Sequence, residues 1–158
     1  MLQVGNVGLT AVEWQSMMSM WCLTNAPLFI GTDLHALAAR PDVLSVLSNP
    51  EVLRIQGDLT GGQGRRLSAP NASGTELWGK LLESRQIAIA VLNRGERQMC
   101  RAVNLRSLGP RFGVHAAHQY TIRDLWRSAD VGVHKDVFLV QVRKHEAAVF
   151  VLSPPPLP

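Results

Sequence analysis

The chain has 158 residues, of which 46% are hydrophobic and 18% are charged, and its net charge is +4 at pH 7. This balance indicates a globular protein, and no apolar run approaches the roughly 20 residues that cross a bilayer, so we expect no membrane partner. The positive charge comes mostly from arginines that are scattered singly apart from Arg65-Arg66, and such a diffuse excess predicts no nucleic-acid partner.

The first predicted element is a helix that begins at Thr10. The stretch Thr10-Ala-Val-Glu13 has the form of a capping box, in which each of the two polar side chains accepts a backbone N–H of the first turn. An apolar face follows at helical spacing, made of Trp14, Met17, Met18, Trp21 and Cys22. This face predicts packing against a sheet. The helix is expected to end at Asn25, because Pro27 cannot continue it.

A strand is predicted directly after this helix, over Leu28–Ile30. Pro41 fits the first turn of a second helix, and a third short helix is predicted over Glu51–Ile55. Alternating strands and helices are typical of a parallel α/β structure, which needs neighbouring strands and cover on both faces. We therefore expect residues 1–64 to be an incomplete α/β unit whose missing part precedes the chain.

From Arg65 onward the hydrophobic pattern has a period of two, which is typical of strands with one buried face. The predicted strands are Glu76–Leu82, Gln86–Asn93, Gln98–Leu105, Gln119–Trp126, Val137–Val142 and Ala147–Leu152. Clusters of Ser, Gly, Asn and Asp separate them at spacings that favour hairpins. Ile87–Leu92 is apolar on both faces, as expected for a central strand. We predict an antiparallel β-sandwich over residues 65–158, ending in a proline-rich tail.

Few residues carry a chemical signal that is independent of the fold. Cys22 and Cys100 lie far apart on segments that are predicted to be buried, which favours inert core thiols. His115 and His118 are three residues apart in a loop without a third ligand, so we predict no metal site. Asn71-Ala-Ser73 fits an N-glycosylation sequon in a polar turn. Because such sequons are used in the secretory pathway, we expect a secreted, lysosomal or vacuolar parent protein.

Several blocks of the sequence together form a pattern that is more specific than any one of them. The blocks are Met1–Leu9, Ser19–Asp33, Leu47–Leu53, Gln63–Gly64, Val91–Arg94, Arg123–Trp126 and His145–Pro154. In this order and spacing they resemble the α-galactosidase (melibiase) family of retaining glycoside hydrolases. The resemblance implies the last strands and helices of a (β/α)8 barrel in residues 1–64, followed by an all-β antiparallel sandwich in residues 65–158.

The resemblance also implies an enzyme that hydrolyses terminal α-galactosides of oligosaccharides or glycolipids, with retention and without a cofactor. In this family the nucleophile aspartate follows barrel strand four and the acid/base aspartate follows strand six, and both would lie before Met1. By this resemblance the chain contains no catalytic residue, and we predict that it is inactive alone. Met1 matches a methionine that lines the family's sugar pocket, and it is the one residue predicted to bind substrate.

Two aspartates lie where a site could use them. Asp33 follows a predicted strand end, which is where barrel sites lie, but a helix-cap or loop-bonding role is favoured. Asp58 aligns with an Asn-Gln-Asp triplet of the family that reads Gln56-Gly57-Asp58 here, so two of its three positions have changed. Thr32 stands where some family members have cysteine, which removes that disulfide partner.

Alternatives remain open on these residues. An α-N-acetylgalactosaminidase of the same family is one, because the loop that separates the two sugars lies upstream. A non-catalytic β-sandwich module that binds carbohydrate or a partner protein is another. A truncated gene product without a function of its own is a third. A homodimer of the intact parent is a further expectation about its partners.

Overall fold

Helices form the first third of the chain and strands form most of the rest, in a computed structural model that describes residues 1–68, 74–114 and 119–155. The helices in these residues are α1 (Ala11–Leu23), α2 (Leu34–Leu37), α3 (Pro41–Leu47), α4 (Pro50–Gly57) and α5 (Leu105–Arg111). The strands are β1 (Arg65–Ser68), β2 (Thr75–Leu81), β3 (Ile87–Asn93), β4 (Met99–Asn104), β5 (Gln119–Asp124), β6 (Ala129–Lys135), β7 (Val137–Val142) and β8 (Ala147–Ser153).

The strands form two antiparallel sheets, as the period-two pattern predicts. One sheet has six strands in the order β1-β2-β3-β8-β5-β6, and the other pairs β4 with β7. Strand β3 pairs with β2 on one side and β8 on the other, so the prediction of a central strand over Ile87–Leu92 is confirmed. Strand β7 has the predicted bounds, Val137–Val142.

The central strands β3 and β8 of the six-stranded sheet are buried on both faces, because their side chains alternate between two hydrophobic cores. Toward the N-terminal helices, Ala90 of β3 packs in the same core as Met18 of α1. Toward the smaller sheet, Ile89 of β3 shares a second core with Phe138 of β7 and Leu105 of α5. The helices of the first part and the sandwich therefore share one core, and the small sheet closes the other.

Helix α1 forms as the sequence predicts. The backbone N–H of Thr10 donates to Glu13 Oε2 at 2.8 Å, and the N–H of Glu13 donates to Thr10 Oγ1 at 3.3 Å, which completes the capping box. Trp14, Met18 and Cys22 are buried on the face that packs against the sheet. The predicted apolar face is confirmed as core.

The strand predicted over Leu28–Ile30 does not form, so that prediction is wrong. The structure has one isolated parallel bridge between Leu2 and Ile30. The N–H of Leu2 donates to the Phe29 carbonyl at 2.7 Å, and the N–H of Gly31 donates to the Leu2 carbonyl at 2.9 Å. A bridge without a further strand beside it does not extend into a ladder, and the sheets of the described residues provide none. A barrel remnant is therefore not evident in the fold.

Other corrections concern the β region. The strand predicted over Gln98–Leu105 stops at Asn104, whose side chain accepts the N–H of Ser107 at 3.3 Å and caps the unpredicted helix α5. Cys100 is exposed, contrary to the prediction, because the side chains of β4 alternate between core and solvent and Cys100 lies on the solvent face. Elements β1, β6 and α2 were not predicted either. Cys22 is buried as expected.

Some predictions fall outside the described residues. These are the sequon Asn71–Ser73, the histidines His115 and His118, and the end of the proline-rich tail. Across residues 1–68, 74–114 and 119–155, no group of three or more His, Cys, Asp or Glu side chains could hold a metal ion. Within the same ranges, none of the helices has the length and apolar content that a membrane span requires.

Candidate functional site

The segments 1–6 and 30–33 lie side by side around the parallel bridge between Leu2 and Ile30, and we refer to them as the strand-end rim. Leu2 and Val4 are only 2% and 1% exposed, so alternate side chains anchor the first segment in the core. Gly31 permits the close approach of the second segment, because a Cβ atom there would lie 2.6 Å from the Leu2 carbonyl oxygen.

Neutral polar side chains line the rim and bond to one another. The side-chain amide of Asn6 donates to the Gly31 carbonyl at 3.3 Å and also to Gln3 Oε1. The Thr32 hydroxyl donates to the Val4 carbonyl oxygen and lies 3.0 Å from Asn6 Oδ1. These contacts use both N–H groups of the Asn6 amide and the hydroxyl proton of Thr32 within the rim, so they fix the orientation of the two side chains.

The two residues that the sequence places at this edge have different roles. Asp33 Oδ1 accepts the backbone N–H of His35 at 2.9 Å, which confirms the predicted loop-bonding role. Met1 is 73% exposed and lies beside Gly31, where a Cβ atom would be 3.3 Å from Met1 Cβ. The Met1 side chain is thus at the rim and open to solvent, and its role as a sugar contact stays a prediction.

The rim has no pair of carboxyl groups among the described residues. Asp33 is the acidic residue there, while other acids make structural contacts elsewhere. Asp58, for example, accepts the backbone N–H groups of Thr60 at 2.9 Å and Glu83 at 2.7 Å. Retaining glycoside hydrolysis uses two carboxyl groups about 5 Å apart. The described residues of the rim therefore do not supply both groups.

A buried lysine joins the N-terminal helices to the six-stranded sheet. Lys80 of β2 is 1% exposed, and its ammonium group donates to Asn25 Oδ1 at 2.6 Å and to the Ile55 carbonyl at 2.5 Å. It also donates to the Asp58 carbonyl oxygen. Burial lowers the pKa of Lys80, because the surroundings disfavour the charged form. Three acceptors offset that cost and fix the ends of α1 and α4 on the sheet.

A second connection lies at the other end of α4. Asn49 Oδ1 accepts the N–H groups of Glu51 and Val52 at 3.0 and 3.1 Å, and its amide donates to the Leu125 carbonyl at 3.1 Å. The Arg123 guanidinium donates to both carboxylate oxygens of Glu51, at 2.6 and 2.9 Å. These bonds hold the pKa of Glu51 below its usual value.

A groove with a volume of about 340 Å³ lies beside this ion pair. Its polar side chains bond to one another: Arg54 donates to Gln86 Oε1 at 2.5 Å, and Gln86 donates to Ser153 Oγ at 2.8 Å. Arg123 is bonded to Glu51 as described. The polar groups of the groove thus support the junction between helices and sandwich.

Sequence reasoning named Met1, Thr32 and Asp33 of the rim but not Gln3 or Asn6, and it missed the junction contacts of Lys80 and Arg123. Lys80 bonds to acceptors 55, 25 and 22 positions away, and Arg123 pairs with a residue 72 positions away. No local spacing can indicate such pairs. The one available signal was a lysine among the uncharged residues Trp78, Gly79 and Leu81 of a predicted strand, which predicts a buried charge that needs partners.

The fold and this junction define a class: an antiparallel β-sandwich with a helical segment on the outer face of its larger sheet. A family profile described as the alpha galactosidase C-terminal beta sandwich domain matches residues 72–152. This match covers half of the chain, and the chain therefore belongs to that family.

Relatives match beyond the sandwich. Alpha-galactosidase 3 of Arabidopsis thaliana is 30% identical over 156 residues, which are 98% of this chain and 34% of the relative. Alpha-N-acetylgalactosaminidase of Mus musculus is 33% identical over 94 residues, or 60% of this chain and 22% of the relative. The crystal structure of alpha-galactosidase I from Mortierella vinacea has a TM-score of 0.87 at 19% identity, over 99% of this chain and 39% of that one. The chain thus spans about a third of the length of the curated relatives that it matches over nearly its whole length.

Proposed function

We propose that this chain corresponds to the C-terminal part of an α-galactosidase, which removes terminal α-linked galactose with retention of configuration. The observation that carries this proposal is the extent of the similarity to an Arabidopsis alpha-galactosidase. It includes the N-terminal helices as well as the sandwich, since 98% of the chain is matched. A β-sandwich module transferred alone onto another protein would share only the second part.

We further propose that residues 1–64 are the end of a catalytic barrel and that residues 65–158 are its C-terminal domain. The parallel bridge between Leu2 and Ile30 supports this division, because barrel strands run parallel. Residues 3–6 and 31–33 of the strand-end rim follow the two bridged residues, on the side where barrel sites are built. Met1, exposed beside Gly31, would contact the sugar.

The catalytic carboxyl groups would come from the upstream part of the enzyme, so the 158-residue chain is inactive by this proposal. The test is incubation of the purified chain with 4-nitrophenyl α-galactoside. The expected result is release of nitrophenol no faster than in buffer. Measurable turnover that co-purifies with the chain would contradict the assignment of the two acids to a missing segment.

A chimera tests the positive half of the proposal. The C-terminal third of the Arabidopsis enzyme is replaced by this chain, joined at the position that aligns with Met1. The chimera should hydrolyse the α-galactoside, because the chain would close the barrel and provide the supporting sandwich. The matched control is the Arabidopsis enzyme truncated at the same position, which should be inactive. A soluble, folded chimera without activity would contradict the proposal.

A second candidate is α-N-acetylgalactosaminidase. It is supported by the similarity to the mouse enzyme of that name, which extends over 60% of the chain. The native gene product with its upstream sequence distinguishes the two, assayed on α-galactoside and α-N-acetylgalactosaminide side by side. Preference for the acetylated sugar would select this candidate. If the gene product hydrolyses neither substrate and the sandwich binds to an immobilised sugar, the result would favour a non-catalytic binding module.

A further inference from the structure

His145 lies in the turn between β7 and β8 and bonds to two different elements. Its Nδ1 lies 2.8 Å from Glu13 Oε1, at the start of α1, and its Nε2 lies 3.0 Å from Glu96 Oε1, in the connection between β3 and β4. The backbone of His145 has a φ of 58°, which is a left-handed conformation within the turn.

The chemistry of these contacts fixes the charge on the ring. A carboxylate oxygen only accepts hydrogen bonds, so both ring nitrogens must donate, and an imidazole that donates from both nitrogens is protonated. A neutral ring has one donor, and one of the two carboxylates would then face a nitrogen lone pair. Loss of one proton from His145 therefore breaks one of the two bonds and places a carboxylate charge against a lone pair.

The turn is also bonded to α1 through its backbone. The Ser16 hydroxyl donates to the His145 carbonyl at 2.7 Å and accepts the N–H of Ala147 at 2.7 Å. The turn is therefore bonded to the buried face of α1, where Ser16 is 8% exposed.

We propose that His145 is a pH-operated latch between helix α1 and the sandwich, closed when the ring is protonated and released when it loses its proton. The charged groups that face the ring are the carboxylates of Glu13 and Glu96, and the ammonium group of Lys144, which pairs with Glu96. Arg143 and Glu146 of the same turn pair with each other at 3.0 Å. This proposal does not depend on the enzymatic activity of the intact protein.

The pH range of the latch follows from the direction of the pKa shifts. The bonds to Glu13 and then Glu96 raise the pKa of His145 above its ordinary 6.5. Its contribution is complete below pH 6.5 and is lost as the pH rises through the raised value. Hydrogen bonds from Thr10, followed by that from His145, lower the pKa of Glu13 from 4.5 to about 2. The carboxylate contribution is present above pH 4.5 and is lost as the pH falls toward 2, so the latch is fully closed from about pH 4.5 to 6.5.

Proton NMR titration of the whole chain tests the first step. The ring resonances of His145 should shift with a midpoint above the ordinary 6.5 of a histidine side chain. Replacing Glu96 with glutamine should move the His145 midpoint down, while the capping box of Glu13 stays intact. The matched control Glu83→Gln, at an exposed site on the turn before β3, should leave it unchanged.

Hydrogen exchange tests whether the ring controls the helix. After correction for intrinsic rates, the amides of α1 should exchange faster at pH 9 than at pH 6, by about tenfold for each unit by which the His145 pKa is raised. His145→Asn removes the titrating ring, and asparagine tolerates the positive φ. This variant should lose the pH dependence, and His35→Asn should keep it.

Two results would overturn the proposal. One is a His145 midpoint at or below 6.5, and the other is a wild-type pH dependence of α1 exchange in His145→Asn. If His145→Asn fails to fold, Glu96→Gln decides the question. An unchanged His145 midpoint in that variant contradicts the pair of hydrogen bonds from the ring to the two carboxylates.

Discussion

The ammonium nitrogen of Lys80 lies 2.6 Å from Oδ1 of Asn25, and this contact joins the second strand of the sandwich to the end of the first helix. Asn25 adopts a φ of 53°, a left-handed conformation that asparagine tolerates better than most residues. The turn that ends α1 is thus shaped to bring an amide oxygen to a buried cation.

Replacing Lys80 with methionine should destabilise the chain. The apolar volume is kept, but Asn25 Oδ1 and the Ile55 and Asp58 carbonyl oxygens lose their donor. Buried acceptors without a donor cost about 1–3 kcal/mol, and we expect a loss of this size in the free energy of unfolding measured in urea. Lys135→Met, on exposed β6, is the control and should stay within about 0.5 kcal/mol of the wild type. Equal stability of the two variants would contradict the proposed role of Lys80 in holding the ends of α1 and α4 on the sheet.

Replacing Gly31 with alanine should disrupt the strand-end rim. The new methyl group would lie 2.6 Å from the Leu2 carbonyl oxygen, which forces the two parallel segments apart. Steric insertions into packed sites typically cost about 1–3 kcal/mol, and we expect a loss of that size in the free energy of unfolding measured in urea. Gly57→Ala is the control, because a Cβ atom there meets nothing within 4 Å. If Gly31→Ala were as stable as this control, the segments could not be in the contact described.

The sequence predicted elements well where one local pattern decides the structure. The capping box at Thr10 and Glu13 sets the start of α1 without help from the rest of the chain. Strand β3 could be recognised as central, because both of its faces are apolar and its pattern cannot suit an edge strand. In both cases the local preference and the final environment agree.

Predictions failed where a distant contact decides the structure. Leu28–Ile30 has the composition of a strand, but it has one parallel neighbour at Leu2 and forms only a bridge. Strand β6 contains Gly132 and exposes Val131 and Val133, by 42% and 59%, so its pattern resembles a loop. It forms a strand because β5 provides a partner along its length.

The His145 contacts could not be predicted for the same reason. Glu13, Glu96 and His145 come from a helix start, a strand connection and a turn, and they are separated by 132 and 49 positions. No spacing rule joins them, so the cluster becomes visible only when the fold brings the three elements together.

Replacing Thr10 with alanine should weaken the start of α1 and change the titration of Glu13. Loss of an N-cap hydroxyl costs about 1 kcal/mol, which should appear in the free energy of unfolding. The side chain of Thr10 also helps to hold the pKa of Glu13 at about 2, so that pKa should rise toward 4.5 in the variant while the backbone N–H bond remains. Carboxyl chemical shifts followed by NMR measure it. Thr10→Ser keeps the hydroxyl and should leave both quantities near their wild-type values.

The Arg123 ion pairs should differ in strength, and a double-mutant cycle can rank them. Arg123 contacts Glu51, whose side chain is 25% exposed, and Asp130, whose side chain is 68% exposed. Screening by water weakens the more exposed pair, so the cycle of Arg123→Gln with Glu51→Gln should show the larger coupling, within roughly a fivefold change in the unfolding equilibrium constant. The cycle with Asp130→Asn is its matched control. Because Arg123 lowers the pKa of Glu51, the coupling should be complete above pH 4.5 and decline as the pH falls through the lower folded value. A coupling that is unchanged at pH 2.5, or larger for Asp130 than for Glu51, would contradict the geometry, since in that case the charged Glu51 carboxylate would not be the partner that holds α4 to β5.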